Sequence, residues 1–210
     1  MKQLNGYIFD LDGVIVDTAK FHFLAWKKIG DEFGFTLTHE LNEQLKGVSR
    51  VDSLKKILDW AKVCISDREF DELATRKNED YLTFVAKMDE NDILPGVKKY
   101  LEKLKSENKK IALGSASKNA RLILEKTNII SLFDAIVDGN DVSKAKPDPE
   151  VFLLAADKIG VPYGECVVFE DSEAGIEAAK SAGMKAIGIG NPEILHQADE
   201  VVADLIGFAV

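Results

Sequence analysis

Four carboxylates, one serine and one lysine carry the chemistry legible in this chain. Asp10 and Asp12 stand two positions apart in Tyr7-Ile8-Phe9-Asp10-Leu11-Asp12-Gly13-Val14, directly after a run of apolar strand formers. Gly13 marks a sharp turn, so both acids fall at the C-terminal end of a first strand, where open α/β sheets bind ligands. Glu170 and Asp171 follow a similar run, Cys166-Val167-Val168-Phe169. Ser115 follows Ile111-Ala112-Leu113-Gly114, and Lys146 precedes Pro147 in a loop. Taken singly, each has an ordinary explanation: solvated acids at a strand end, a solvated loop lysine, a turn at Glu170-Asp171. Their convergence on one sheet edge is harder to explain that way. Four acids in one crevice repel one another without a cation, and hard oxygen ligands of this kind suit Mg2+, which shares its coordination with water and phosphate. Ser115 and Lys146 add a hydroxyl donor and a positive charge. Ser117, Lys118 and Asn119 are expected at a helix N-terminus, where free N–H groups favour anions, although Ser117 would serve equally as that helix's N-cap. Cation, donors and lysine together describe phosphoryl transfer.

The elements that must position these groups follow from periodicity. After Asp17 the pattern becomes helical, with Phe21, Leu24, Ala25, Ile29 and Phe33 at helical spacing. A second helix is predicted around Leu54 to Ala61, and a third from the capping box Ser66-Asp67-Arg68-Glu69 to about Met88. No strand is predicted between residues 17 and 91. From Pro95 onward helices and strands alternate: a helix from Val97, strands at Ile111 to Gly114, Phe133 to Val137, Cys166 to Phe169 and Lys185 to Ile189, and a short one at Glu200 to Ala203. Helices between strands imply an α/β fold, a doubly wound parallel Rossmann-like sheet with right-handed crossovers. The expected organisation is a core from residues 1–16 and 92–210, with a helical subdomain of residues 17–91 inserted after the first strand.

Composition sets the outer bounds. The 210 residues are 46% hydrophobic and 30% charged, ordinary for a soluble globular chain. A net charge of -9 argues against nucleic acid and anionic membrane as partners, and no apolar run approaches membrane-spanning length. Cys64 and Cys166 match no disulfide framework or zinc spacing, so a reduced, cytoplasmic protein is expected, monomeric by default.

Asp10-Leu11-Asp12-Gly13-Val14, Ser115, Lys146 and Glu170-Asp171 resemble, in this order, the four motifs of the haloacid dehalogenase superfamily. The resemblance implies that Asp10 is a nucleophile passing through an aspartyl-phosphate. It implies that Asp12 is a general acid and base, contributing its backbone carbonyl to a Mg2+ site with Asp10, Glu170 and Asp171. The helical insertion resembles the family's four-helix cap. Within the family, Asn42-Glu43-Gln44-Leu45-Lys46-Gly47-Val48-Ser49-Arg50 with Ser53-Leu54, and His22, Trp26, Arg76-Lys77-Asn78 and Ser115-Ala116-Ser117-Lys118-Asn119, resemble the cap loop and site of sugar phosphomutases. The resemblance implies that Thr18, His22, Trp26, Leu45, Lys46, Gly47, Val48, Ser49, Arg50, Ser53, Lys77 and Ala116 to Asn119 bind substrate, with Ser115 beside the reacting phosphate. The resemblance weakens after about Asn191.

The implied activity is interconversion of β-glucose 1-phosphate and glucose 6-phosphate through β-glucose 1,6-bisphosphate. A mutase must hold both phosphates of a bisphosphate. Arg50 offers a planar fork suited to the one facing away from the metal. Lys77 falls within the apolar stripe Phe70, Leu73, Ala74, Tyr81, Phe84, Val85 of the third cap helix. Lysine is rarely buried, so it is expected to point into a polar cleft, the alternative being a side chain that snorkels to solvent. Trp26 is either cap core or a wall of the sugar site, and His22 an organiser near Asp12 or a packed helix residue. The rival activities are a Mg2+-dependent sugar-phosphate or phosphoglycolate phosphatase and a non-catalytic phosphosugar-binding protein. Retention of both Asp10 and Asp12 argues against the latter.

Overall fold

β1 (Gly6–Phe9) lies in the middle of a six-stranded parallel sheet, and that position dictates much of the rest. The computed structural model describes residues 4–208. Strand order is β3-β2-β1-β4-β5-β6, with β2 (Lys110–Gly114) and β4 (Cys166–Glu170) flanking β1. β3 (Ala135–Val137), β5 (Lys185–Ile189) and β6 (Glu200–Val202) complete it. Parallel pairing aligns Phe9 with both Leu113 and Phe169, so the residues that follow β1, β2 and β4 emerge side by side on one edge. The sheet is the doubly wound one expected from the alternating pattern.

Both faces of the sheet are covered, as its unbroken apolar strands require. One face buries Phe9, Leu113, Phe169 and Ile187 with Tyr100 and Leu101 of α5 (Val97–Ser106) and Ile123 and Leu124 of α6 (Ala120–Lys126). The other buries Ile8, Ala112, Val168 and Ala186 against α7 (Glu150–Ile159) and α8 (Glu173–Ser181). The rings of Phe9 and Phe169 stack at 4.5 Å.

Between β1 and α5 lie four helices: α1 (Ala19–Glu32), α2 (His39–Glu43), α3 (Arg50–Ala61) and α4 (Asp67–Val85). They have their own small core of Trp26, Ile29, Leu37, Leu54, Ile57 and Leu58. The Ser66–Glu69 capping box forms as its sequence suggests. The two chain crossings into this subdomain meet where Val16 bridges Ile93.

Several boundaries differ from the periodicity. α2 has only five residues, too few for a helical period to register; it completes the four-helix cap that the family resemblance implies. α4 stops at Val85 rather than near Met88. β3 starts at Ala135, because Phe133 ends a 3-10 turn over Ile130–Leu132 and is buried there. α6 begins at Ala120, leaving Ser117, Lys118 and Asn119 in the preceding loop.

Candidate active site

The carboxylates gather at the C-terminal edge of the sheet. Asp10, Glu170 and Asp171 present oxygens that all lie within 4.8 Å of one another. Asp10 and Glu170 are buried, and Lys146, equally buried, sits between them with Nζ 2.5 Å from Asp10 Oδ1 and 2.5 Å from Glu170 Oε1. Glu170 is further anchored by Ser172, whose backbone N–H and hydroxyl donate to Oε2 at 2.8 and 2.9 Å. Burial is the largest influence on these acids. It raises Asp10 well above the usual carboxylate range despite Lys146, and with Glu170 alongside it pushes Asp171 up to about 7. Burial works against the Lys146 ammonium, yet the two carboxylates beside it hold its pKa above the usual lysine value.

An all-oxygen donor set in so dry a place fits a divalent cation. Two glycines make room for it. A Cβ at Gly13, whose φ is +79°, would lie 2.2 Å from Asp171 Oδ2. A Cβ at Gly175 would lie 1.9 Å from the Glu170 carboxyl carbon. The Asp12 carboxyl does not belong to the cluster, so any share in metal binding falls to its backbone carbonyl.

Asp12 instead faces the helical subdomain. The Thr18 hydroxyl donates a short hydrogen bond to its Oδ1, and His22 Nε2 lies 3.9 Å from the same oxygen. Burial pushes the Asp12 carboxyl up to about 6, against the pull of Lys77 and Lys146. A group poised near neutrality is suited to moving a proton in either direction. Lys77 is buried, as its place in the apolar stripe suggested, with Nζ 2.7 Å from His22 Nδ1 and 4.5 Å from the Trp26 ring centroid. Burial, then Arg50, brings its ammonium down to about 7. An ammonium can only donate, so when charged it makes Nδ1 the acceptor and leaves the imidazole proton on Nε2, facing Asp12. Burial, then Lys77 and Arg50, holds His22 neutral, well below the usual imidazole range.

One cleft unites most of the expected residues. Its walls comprise Asp10, Asp12 and Asp171 at the sheet edge, Ser115 to Asn119 beside them, and His22, Trp26, Leu45 to Val48, Arg50, Ser53 and Lys77 from the helices. Trp26 therefore serves both as subdomain core and as wall. Thr18 and Ser49 do not line it. Thr18 lies fully buried behind Asp12, and Ser49 caps α3 through Asp52. Lys146 and Glu170 sit beneath Asp10.

The loop after β2 differs from expectation in one respect. The N–H groups of Ser117 and Asn119 are not free for an anion, since they donate to the Ser115 and Ser117 hydroxyl oxygens at 3.1 and 3.3 Å. The N–H groups of Ala116 and Lys118 make no hydrogen bond among the described residues, so they remain as donors for an anion together with the hydroxyl protons and the Lys118 ammonium. Ala19, Asn42 and Asn78 also line the cavity. Asn42 and Asn78 stand in the stretches that carry the phosphomutase resemblance but were not among the expected substrate-binding residues, and nothing in the sequence pointed to Ala19.

A parallel sheet with Asp10 directly after its central strand, a carboxylate cluster at that edge and a helical subdomain completing the cavity define an α/β phosphoryl-transfer enzyme. Residues 7–189 match the model of the haloacid dehalogenase-like hydrolase family, and the chain belongs to that family. It is 47% identical over 201 residues to the β-phosphoglucomutase of Bacillus subtilis strain 168, covering 95% of this chain and 89% of that one. The crystal structure of β-phosphoglucomutase from Clostridium difficile superposes with a TM-score of 0.94 at 41% identity, covering 99% of this chain and 94% of that one. The phosphorylated carbohydrates phosphatase of Thermotoga maritima is 33% identical, covering 88% of this chain and 84% of that one.

Proposed function

We propose that the chain interconverts β-glucose 1-phosphate and glucose 6-phosphate, with Mg2+ held by Asp10, Glu170, Asp171 and the Asp12 backbone carbonyl. The observation that carries this reading is a cavity with more phosphate-suited groups than one phosphate needs. Besides the carboxylates with Ser115, its walls include Arg50, Lys118 and Asn119, which offer a grip for a second phosphate. Hydrolysis of a monophosphate needs no such second grip. The 47% identity to a β-phosphoglucomutase supports the same choice.

In this mechanism phosphorylated Asp10 gives its phosphoryl group to the sugar 6-hydroxyl. The O6–P bond forms as the bond from phosphorus to the Asp10 carboxylate oxygen breaks, and Asp12 takes the O6 proton. The bisphosphate turns over, its 1-phosphate passes to Asp10, and Asp12 returns the proton to O1 as glucose 6-phosphate leaves. The metal supplies charge neutralisation at the transferring phosphoryl group. Lys146 and Ser115 share that task, Lys77 and His22 orient Asp12, and Trp26 with Leu45 to Val48 and Ser53 hold the sugar. Residues 17–91 form a cap that hinges near Thr18 and near Asp89 to Leu94, and its closure keeps water from the acyl phosphate. We further place the protein in the cytoplasm as a monomer, in keeping with its free Cys64 and Cys166.

The deciding experiment supplies each anomer of glucose 1-phosphate with Mg2+ and catalytic glucose 1,6-bisphosphate, and follows glucose 6-phosphate and inorganic phosphate together. Glucose 6-phosphate from the β anomer with little free phosphate is expected, and its loss in Asp10→Asn. Stoichiometric inorganic phosphate in place of glucose 6-phosphate would make the enzyme a sugar-phosphate phosphatase instead.

A further inference from the structure

We propose that Asn78 is a positioning residue whose side chain clasps Asn119 across the cavity, tying closure of the helical subdomain to the set of the loop after β2. Asn119 Nδ2 donates to Asn78 Oδ1 at 2.9 Å, joining α4 to the sheet domain. Both residues line the cavity.

The loop that Asn119 ends is held from the sheet side by a relay. The Asn119 N–H donates to the Ser117 hydroxyl, and the Ser117 N–H donates to Ser115. Beneath it, the Gly139 N–H donates to the Ser117 carbonyl and Asn140 Nδ2 to the Lys118 carbonyl, each at 3.2 Å. A Cβ at Gly139 would lie 2.3 Å from the Ala116 carbonyl oxygen, so the fit there is already tight. Among the described residues, Asn78 makes the hydrogen bond that reaches this loop from the helical subdomain. The carbonyl it presents fixes which way the Asn119 amide points.

The subdomain has a second foothold on the sheet domain, where Lys46 pairs with Asp171 at 3.2 Å and Gly47 packs on Ser172. That foothold is ionic and shares the Asp171 carboxylate with the cluster, so its strength changes with charge at the sheet edge. The Asn78–Asn119 bond joins two neutral amides and keeps its strength when the charge of Asp10 and its surroundings changes during turnover. A part-buried amide bond of this kind biases closed over open by roughly tenfold. Without it the acyl phosphate is exposed to water for longer, a consequence that rests on the mutase reading of Asp10.

The test compares Asn78→Ala, Asn119→Ala, the double variant and Asn78→Asp with wild type, each checked for native far-ultraviolet dichroism. Amide hydrogen exchange over residues 115–120 is followed without any sugar phosphate. Asn78→Ala is expected to speed exchange there about tenfold, Asn119→Ala likewise, and the double variant no more than either alone. Asn78→Asp, which keeps an acceptor oxygen, is expected to restore protection. In turnover with β-glucose 1-phosphate, the ratio of inorganic phosphate to glucose 6-phosphate is expected to rise several-fold in Asn78→Ala. Unchanged exchange in Asn78→Ala, or single effects that multiply in the double variant, would overturn the clasp. If wild type releases only inorganic phosphate, the mutase reading falls while the exchange result still decides the clasp.

Discussion

Lys46 and Asp171 meet across the boundary between the helical subdomain and the sheet, Nζ to Oδ2 at 3.2 Å. Lys46 is also paired with Glu43 at 3.1 Å, so the lysine is carried to the sheet edge by its own loop. Burial opposes its charge, but Asp171 and Glu43 hold its pKa above the usual lysine value. Asp171 belongs to the carboxylate cluster, so a divalent cation there competes with this ammonium for the same carboxylate. A partly exposed pair is worth about 1 kcal/mol, which corresponds to roughly fivefold in an equilibrium constant. Lys46→Met is therefore expected to bind Mg2+ roughly fivefold more tightly in the absence of sugar, measured by calorimetry. Unchanged or weaker affinity would show that the pair does not compete with the cation.

Gly175 illustrates how the backbone makes room for a ligand. It lies in the first turn of α8, and a Cβ there would overlap the Glu170 carboxyl group at 1.9 Å. The atoms in the way are a fully buried carboxylate paired with Lys146, so they cannot swing aside. Gly175→Ala is expected to displace Glu170 and weaken Mg2+ binding by more than tenfold, although alanine is the better helix former. Thermal unfolding with and without Mg2+ measures this. A variant that gains as much from the metal as wild type would contradict the assignment of Glu170 to the cluster.

That contact shows where sequence reasoning stops. The strands were legible because central parallel strands read as unbroken apolar runs, as in Tyr7 to Phe9 and Cys166 to Phe169. The carboxylate edge followed, since parallel strands all end on one side. Lys77 was legible because a charge inside an apolar stripe is anomalous, and the structure buries it. Gly175 was not, because its meaning depends on a side chain five residues earlier that the turn after β4 folds back over it. Nor was the Thr18 hydrogen bond to Asp12, which needs the chain to reverse through Gly13 and Val16 before α1 begins. α2 left no period of its own and the start of β3 was missed because five and three residues are too short for a period to show. The occupied N–H groups of Ser117 and Asn119 depend on side-chain rotamers, which periodicity does not encode.

Lys146 neutralises two buried acids at once. Removing it leaves Asp10 and Glu170 facing each other without a counter-charge, and breaking a buried pair in this way costs about 3–5 kcal/mol. Lys146→Ala is expected to lower the unfolding midpoint markedly in metal-free buffer, with part of the loss regained on adding Mg2+, because the cation replaces some of the missing positive charge. Asp10→Asn in the same background should also restore part of it. A Lys146→Ala protein as stable as wild type without metal would mean that protonation of the acids already removes the repulsion.

Lys77 links pH to stability with a definite sign. Its ammonium is brought down to about 7 by burial in the folded chain, while an unfolded lysine keeps its proton to about 10.5. Below pH 7 both states carry the proton, and the folded state bears the cost of a buried charge. Between pH 7 and about 10 the unfolded chain holds a proton that the folded chain has released, so stability attributable to this residue rises with pH. Lys77→Met removes the buried charge and with it the rise. The variant is expected to be more stable than wild type by on the order of a few kcal/mol at pH 6, and the advantage should shrink steadily toward pH 10. Its sugar-phosphate turnover should fall most below pH 7, where Asp12 loses the charge nearby and His22 loses the donor at 2.7 Å that sets its tautomer. Chemical denaturation of both proteins at pH 6, 8 and 10 provides the comparison. Parallel stability curves would show that Lys77 keeps its proton in the folded chain throughout, and a more stable variant with undiminished turnover would remove Lys77 from the site.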